Sequence, residues 1–231
     1  MADDAATEPL APGAGDDAAA RSESETVRSE RVFDLARTTA FSDGVFAIAI
    51  TLLVLTIEVP KVDPGELARA IGDLSDSFRS YAISFAVIGL LWFRHHRMFA
   101  ALGEVDARTV VVNLVYLGFV AFIPFPTDVL GEYGNEPISV ALYAGTIAVV
   151  GLLAAWRWMH AFRAGLLTKA GAELISEYSP VTMLIVPAVM LASIPVAYLV
   201  SPDVAEWTWL LIFLGRVVAR RRAPRFGNPP A

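Results

Sequence analysis

Apolar residues in this chain come in blocks too long and too continuous for a soluble core. Stretches 109–127, 137–156 and 178–202 run for 19, 20 and 25 residues without Asp, Glu, Lys or Arg, and a helix crossing a bilayer needs about 20. Each predicts a spanning helix. Two shorter uncharged blocks, 44–57 and 80–93, reach that length only with charged residues at their ends, which predicts spans near 40–59 and 78–99. A sixth segment near 204–220 has Trp207 and Trp209 suited to one interface and Arg216 able to snorkel toward the other. The pattern predicts an all-α polytopic membrane protein with six transmembrane helices.

Basic residues set how these segments alternate. Arg21, Arg28, Arg31 and Arg37 precede the first span, Arg94, Arg97 and Arg108 follow the second, and Arg157, Arg163 and Lys169 follow the fourth. Arg216, Arg220, Arg221, Arg222 and Arg225 crowd the C-terminal end, whereas the first connection has Lys61, Arg69 and Arg79 and the third and fifth have none. Six spans put the larger set on one side; five would carry the arginine-rich end across. The positive-inside rule therefore predicts a multi-pass protein of the cell membrane with both termini cytoplasmic.

Composition adds three points. The chain is 55% hydrophobic and 18% charged, with mean hydropathy +0.54, more apolar residue than a soluble domain needs. Much of the net charge of −6 comes from residues 1–30, which read as a disordered acidic tail without an apolar targeting core; 31–222 then form the membrane domain and 223–231 a short C-terminal tail. There is no cysteine, and His95, His96 and His160 are the three histidines, so neither a metal site nor a cofactor is expected. Arg220, Arg221 and Arg222 are read as a topology signal in contact with the lipid bilayer, not as a nucleic-acid site.

The first span carries the most information. At about 100° per residue, Arg37, Phe41, Ile48, Leu52, Leu55 and Val59 fall in one narrow stripe, with Gly44 and Thr51 on its flank. Ser42 and Asp43 point elsewhere. An ionisable group at the edge of a span needs a partner, and the second span brings Trp92 and His95 to the same level. Ser42 and Asp43 are thus expected to hydrogen-bond to His95 and the Trp92 indole, clamping the first helix on the second; His95 and His96 also suit a plain basic interfacial loop. On spacing alone the stripe reads first as a helix-packing seam.

Arg37, followed after three residues by Phe41, Ser42 and Asp43 and then by Gly44 to Leu53, resembles the signature of the transmembrane protein 175 family, the endosomal and lysosomal potassium channels, in its prokaryotic branch. Trp92, His95 and Phe99, then Asn113 and Leu114, then the run from Phe122 to Thr127, extend the likeness over roughly residues 31–135. The resemblance implies a homotetramer whose first helices line a central pore. It would make Ile48, Leu52 and Leu55 the constriction, with Thr51 offering hydroxyls to the permeant potassium ion. Four branched side chains at one level form a dry ring that gates by excluding water. Arg37, Phe41, Ser42, Asp43, Trp92 and His95 become a structural polar network. Glu58, about 80° from the stripe centre, becomes either an acidic ring at the outer mouth or a solvated helix-end carboxylate.

The expected function is therefore passive conduction of potassium, with no enzymatic chemistry. A proton-coupled secondary transporter using Asp43 and His95 is the alternative, although the chain shows no repeated halves or paired broken helices. No nucleophile, metal cluster or acid–base pair at membrane depth supports an enzyme.

Overall fold

In the computed structural model, residues 34–177 and 180–212 are described. They form helices α1 (Leu35–Leu52), α2 (Leu67–Asp73), α3 (Ser75–Ala101), α4 (Ala107–Phe122), α5 (Pro124–Glu132), α6 (Pro137–Arg163), α7 (Lys169–Glu177), α8 (Pro180–Leu199) and α9 (Pro202–Thr208), and a 3-10 turn, Leu53–Thr56, continues α1. Among the described residues the one β-type contact is a single bridge between Leu102 and Leu167. Among the described residues three continuous stretches are long and apolar enough to cross a membrane: Leu35–Thr56, Ala107–Glu132 and Pro137–Arg163. The expected tails 1–30 and 223–231, and residues 213–220 of the sixth segment, lie outside the described residues.

Local chemistry explains the helix ends. Asp34 caps α1 by accepting from the backbone N–H groups of Ala36 and Arg37, satisfying donors that a helix start leaves open. The third span breaks after Phe122 because Pro124 and Pro126 have no N–H to give Val120 and Phe122. Ile123 N donates to Val120 O instead, at 3.2 Å, and Thr127 donates from both backbone and side chain to Ile123 O. Gly131 and Glu132 still belong to α5, and a polar turn begins at Tyr133. The fourth span runs seven residues past its expected end at 156, to Arg163.

Long-range contacts separate two ends of the bundle. At one end Gly103 N donates to Leu166 O at 2.8 Å and Thr168 N to Ala101 O at 3.0 Å, tying the α3–α4 loop to the α6–α7 loop. Asp106 caps α4 through Thr109 N, at 2.8 Å, and meets His160 Nε2 at 2.8 Å. At the other end Arg79 pairs with Glu206 at 3.2 Å. This grouping is the one that alternating spans require. The main apolar core joins Phe46, Ala49 and Leu53 of the first segment to Ile88, Tyr116, Val120, Tyr143 and Ile147. A buried triad of hydroxyls, with Thr127 and Ser84 2.8 Å apart and Ser84 and Tyr143 3.1 Å apart, links α3, α5 and α6. Beyond α9 the chain turns at Trp209 and Leu210, and the Trp209 indole donates to Ser193 of α8.

Two results follow. A Cβ on Gly151 would stand 3.0 Å from Pro187 Cδ, whereas one on Gly145 meets nothing within 4 Å. Gly151→Val is therefore expected to lower the melting temperature of the solubilised protein by the equivalent of about 1–3 kcal/mol, with Gly145→Val close to wild type; equal melting of the two would contradict the α6–α8 packing. Burial alone would raise the Asp106 carboxyl, but hydrogen bonds from Thr109 and His160 outweigh it and hold the carboxyl below its ordinary range. The stability this gives is complete above that range and is lost as pH falls through the lowered value. Asp106→Asn, which keeps a capping side chain, should melt below wild type at pH 7, with the gap closing as pH drops below about 4. A gap of the same size at pH 7 and at pH 3 would mean that charge contributes nothing.

Candidate functional site: the first helix and the polar cluster behind it

α1 has two faces of different character. Ser42, Phe46, Ala49 and Leu53, spaced by four, three and four residues, are buried against α3, α4 and the core. Opposite them Phe41, Ile48, Leu52 and Leu55 are 55%, 61%, 41% and 71% exposed, with Gly44, Ala47 and Thr51 on the same side. A stripe of large apolar groups thus lies outside, and a polar serine lies inside.

The residues proposed for the constriction stand as follows. Ile48 and Leu52 are in the α-helix and Leu55 is in the 3-10 turn. The Thr51 hydroxyl shares its proton between Ala47 O at 3.0 Å and Ile48 O at 2.9 Å, leaving its oxygen lone pairs turned outward. Glu58 differs from its expected position. The helix ends at Thr56 and Ile57 is extended, so a helical wheel does not give the direction of Glu58. It lies instead within electrostatic reach of Asp128 on α5, as does Glu132.

The polar network also differs from the expected one. The Trp92 indole donates to Asp43 Oδ1 at 2.8 Å, the expected contact. Ser42 and His95, however, do not meet directly. Asn113 of α4 stands between them: its Nδ2 donates to Ser42 Oγ at 2.9 Å, and its Oδ1 accepts from His95 Nε2 at 3.0 Å and from Arg157 Nη1. An amide bridge fits here because it supplies a donor to one helix and an acceptor to two others. Arg37 and Phe41, expected in this network, lie exposed outside it.

The cluster is closed by aromatic rings. His95 stacks on Phe99 with centroids 4.3 Å apart and faces Tyr116 and Phe46 at 5.9 and 5.3 Å. The Arg157 guanidinium lies over the Tyr116 ring, 3.8 Å from its centroid. Because the amide oxygen can only accept, His95 carries its proton on Nε2. Nδ1 is buried without a hydrogen-bond partner, so a second proton there would find no acceptor.

Sequence reasoning missed Arg157 and Tyr116. Arg157 was counted among the loop charges because Trp156 and Trp158 beside it look like an interfacial belt. The available signal was an arginine with no acidic residue within a helical turn on either side. Asn113 entered only as part of the family likeness, although an amide in an uncharged 19-residue run itself asks for partners.

Residues 37–124, which span α1 to the start of α5, match the family described as Endosomal/lysosomal potassium channel TMEM175. A protein of Streptomyces collinus named as a potassium channel is 43% identical over 134 residues, 56% of this chain and 65% of that protein. A second protein so named, from Chamaesiphon minutus, is 38% identical over 143 residues, 59% of this chain and 70% of that one. The crystal structure of a TMEM175 homolog from Chamaesiphon minutus, described as a lysosomal potassium-selective channel, superposes with a TM-score of 0.57 at 31% identity, covering 77% of this chain and 97% of that chain. Sequence motif, family match and all-helical architecture agree, and this chain belongs to the TMEM175 family.

Proposed function

We propose that the chain is the subunit of a potassium-permeable channel: a homotetramer of six-span subunits, with residues 31–222 as the channel domain and α1 lining a central pore. The observation that carries this reading is the exposed stripe of Phe41, Ile48, Leu52 and Leu55 opposite the buried Ser42, Phe46, Ala49 and Leu53. Four copies of α1 around an axis would bring Ile48, Leu52 and Leu55 into successive apolar rings, narrow enough to hold up an ion by excluding its water. Thr51 offers the hydroxyl oxygen nearest those rings. Two of the bacterial relatives are named as potassium channels, and the family is one of ion channels rather than enzymes.

The grouping of Arg37, Arg94, Arg97, Arg108, Arg163 and Lys169 toward one end supports cytoplasmic termini in the cell membrane. Removing Arg157 from the loop charges leaves that bias in place. The transporter reading loses its proton-coupled pair, since Asp43 bonds to Trp92 and His95 to Asn113.

Potassium efflux from liposomes holding purified, assembled protein tests the proposal. Wild type should conduct, Ile48→Asn should raise efflux several-fold by wetting the narrowest ring, and Leu52→Ala should raise it less. Wild-type efflux with both variants unchanged would remove α1 from the conduction path; no efflux from any of the three would remove the channel reading.

A further inference from the structure

Arg157 is the charge this bundle has least means to stabilise. It is 1% exposed inside α6, and among the described residues no carboxylate is within ion-pairing distance of it. Burying an ionised group without a counterion is strongly unfavourable, and an ionisable residue inside a span generally marks function. What holds Arg157 is the face of Tyr116 and the single amide oxygen of Asn113. It also lies beyond residues 37–124 that define the family match, so the signature motifs do not account for it.

The direction of the hydrogen bonds indicates what Arg157 does. A guanidinium can only donate. Asn113 must therefore turn Oδ1 toward Arg157, where it also accepts from His95, and must present Nδ2 to Ser42. Ser42 Oγ, already accepting, is left to donate to Thr38 O at 2.8 Å. With Arg157 absent the amide could turn over. Nδ2 would then donate to the other tautomer of His95, Oδ1 would face Ser42, and the Ser42 hydroxyl would swing from Thr38 to Asn113. Both arrangements keep the Asn113–His95 and Asn113–Ser42 hydrogen bonds and leave His95 Nδ1 without a partner, so these three residues alone leave the first turns of α1 with two seats.

We propose that Arg157 is a positioning residue that, through Asn113, selects one of these two hydrogen-bond senses and thereby fixes how the start of α1 sits on α3 and α4. The chain of action runs from α6 through α4 to α1. It rests on the reading of α1 as the pore helix for its effect on conduction, but not for its effect on the position of α1.

The test is a double-mutant cycle on the full chain in liposomes, using Arg157→Gln, Ser42→Ala and the pair, with Arg157→Lys as the conservative change. Two readouts are taken per assembled protein: potassium efflux, and the rate at which a small cationic thiosulfonate modifies Gly44→Cys. The chain has no cysteine of its own, and a side chain at Gly44 meets nothing within 4 Å. Each single change should shift the modification rate by at least about threefold, the double should equal a single rather than their product, and Arg157→Lys should return toward wild type. Multiplicative effects, or an assembled Arg157→Gln protein with wild-type efflux and modification, would overturn the proposal. If Arg157→Gln does not assemble, Arg157→Met replaces it under the same criterion, since Asn113 Oδ1 keeps its hydrogen bond from His95. Shifted modification with no efflux even from wild type would sink the channel reading and leave the positioning role standing.

Discussion

A polar group inside a helical bundle in lipid has to find its partners within the protein, because the surrounding hydrocarbon offers none. Asn113 is where four helices meet that requirement together. Its amide joins Ser42 of α1, His95 of α3 and Arg157 of α6 to its own helix α4, and Tyr116, one turn along α4, covers the arginine. An apolar residue at 113 would remove a hydrogen bond from a serine, an imidazole and a guanidinium at once. Apolar packing between α1 and its neighbours through Phe46, Ala49 and Leu53 has no direction of its own, and leaves rotation and depth loosely set. The amide supplies the direction.

That constraint accounts for the unusual character of α1. Its one fully polar buried residue, Ser42, is where the amide grips it, and the bulkiest aliphatic groups are left on the opposite, uncovered side. A helix inserted for burial alone would be turned the other way. Ahead of the 3-10 turn the Thr51 hydroxyl donates back into the helix, so the exposed stripe stays apolar except for oxygen lone pairs. In the proposed pore such a lining resists ions through dryness rather than through charge, and beyond it Glu58 and Glu132 are both in electrostatic reach of Asp128.

Much of this was legible in the sequence because lipid imposes long-range order on composition. Uncharged runs mark the third and fourth spans, and the 100° period of α1 separates Ile48, Leu52 and Leu55 from Ser42. The period could say which residues share a face but not whether that face looks inward or outward; only burial distinguishes a packing seam from an open stripe. Glu58 was misplaced because helical projection was carried past Thr56, where the backbone becomes extended. Arg157 was misassigned because charge counting assumes that arginines end spans, whereas Asn113 and Tyr116 let this one continue. The direct Ser42–His95 bond failed for a related reason: pairing the first two spans left out the third, whose asparagine fills the gap between them.

The central claim, that the uncovered stripe of α1 faces the conduction path, is tested most directly by silver-ion block of potassium efflux through single-cysteine proteins. Cysteine would be placed in turn at 48, 52 and 55, at buried 46, 49 and 53, and at 111 and 114 on the exposed side of α4. The account predicts block at Ile48, Leu52 and Leu55 and none at the other five positions. Block at Val111 and Leu114, or at Phe46 and Ala49, with the α1 stripe insensitive, would contradict it.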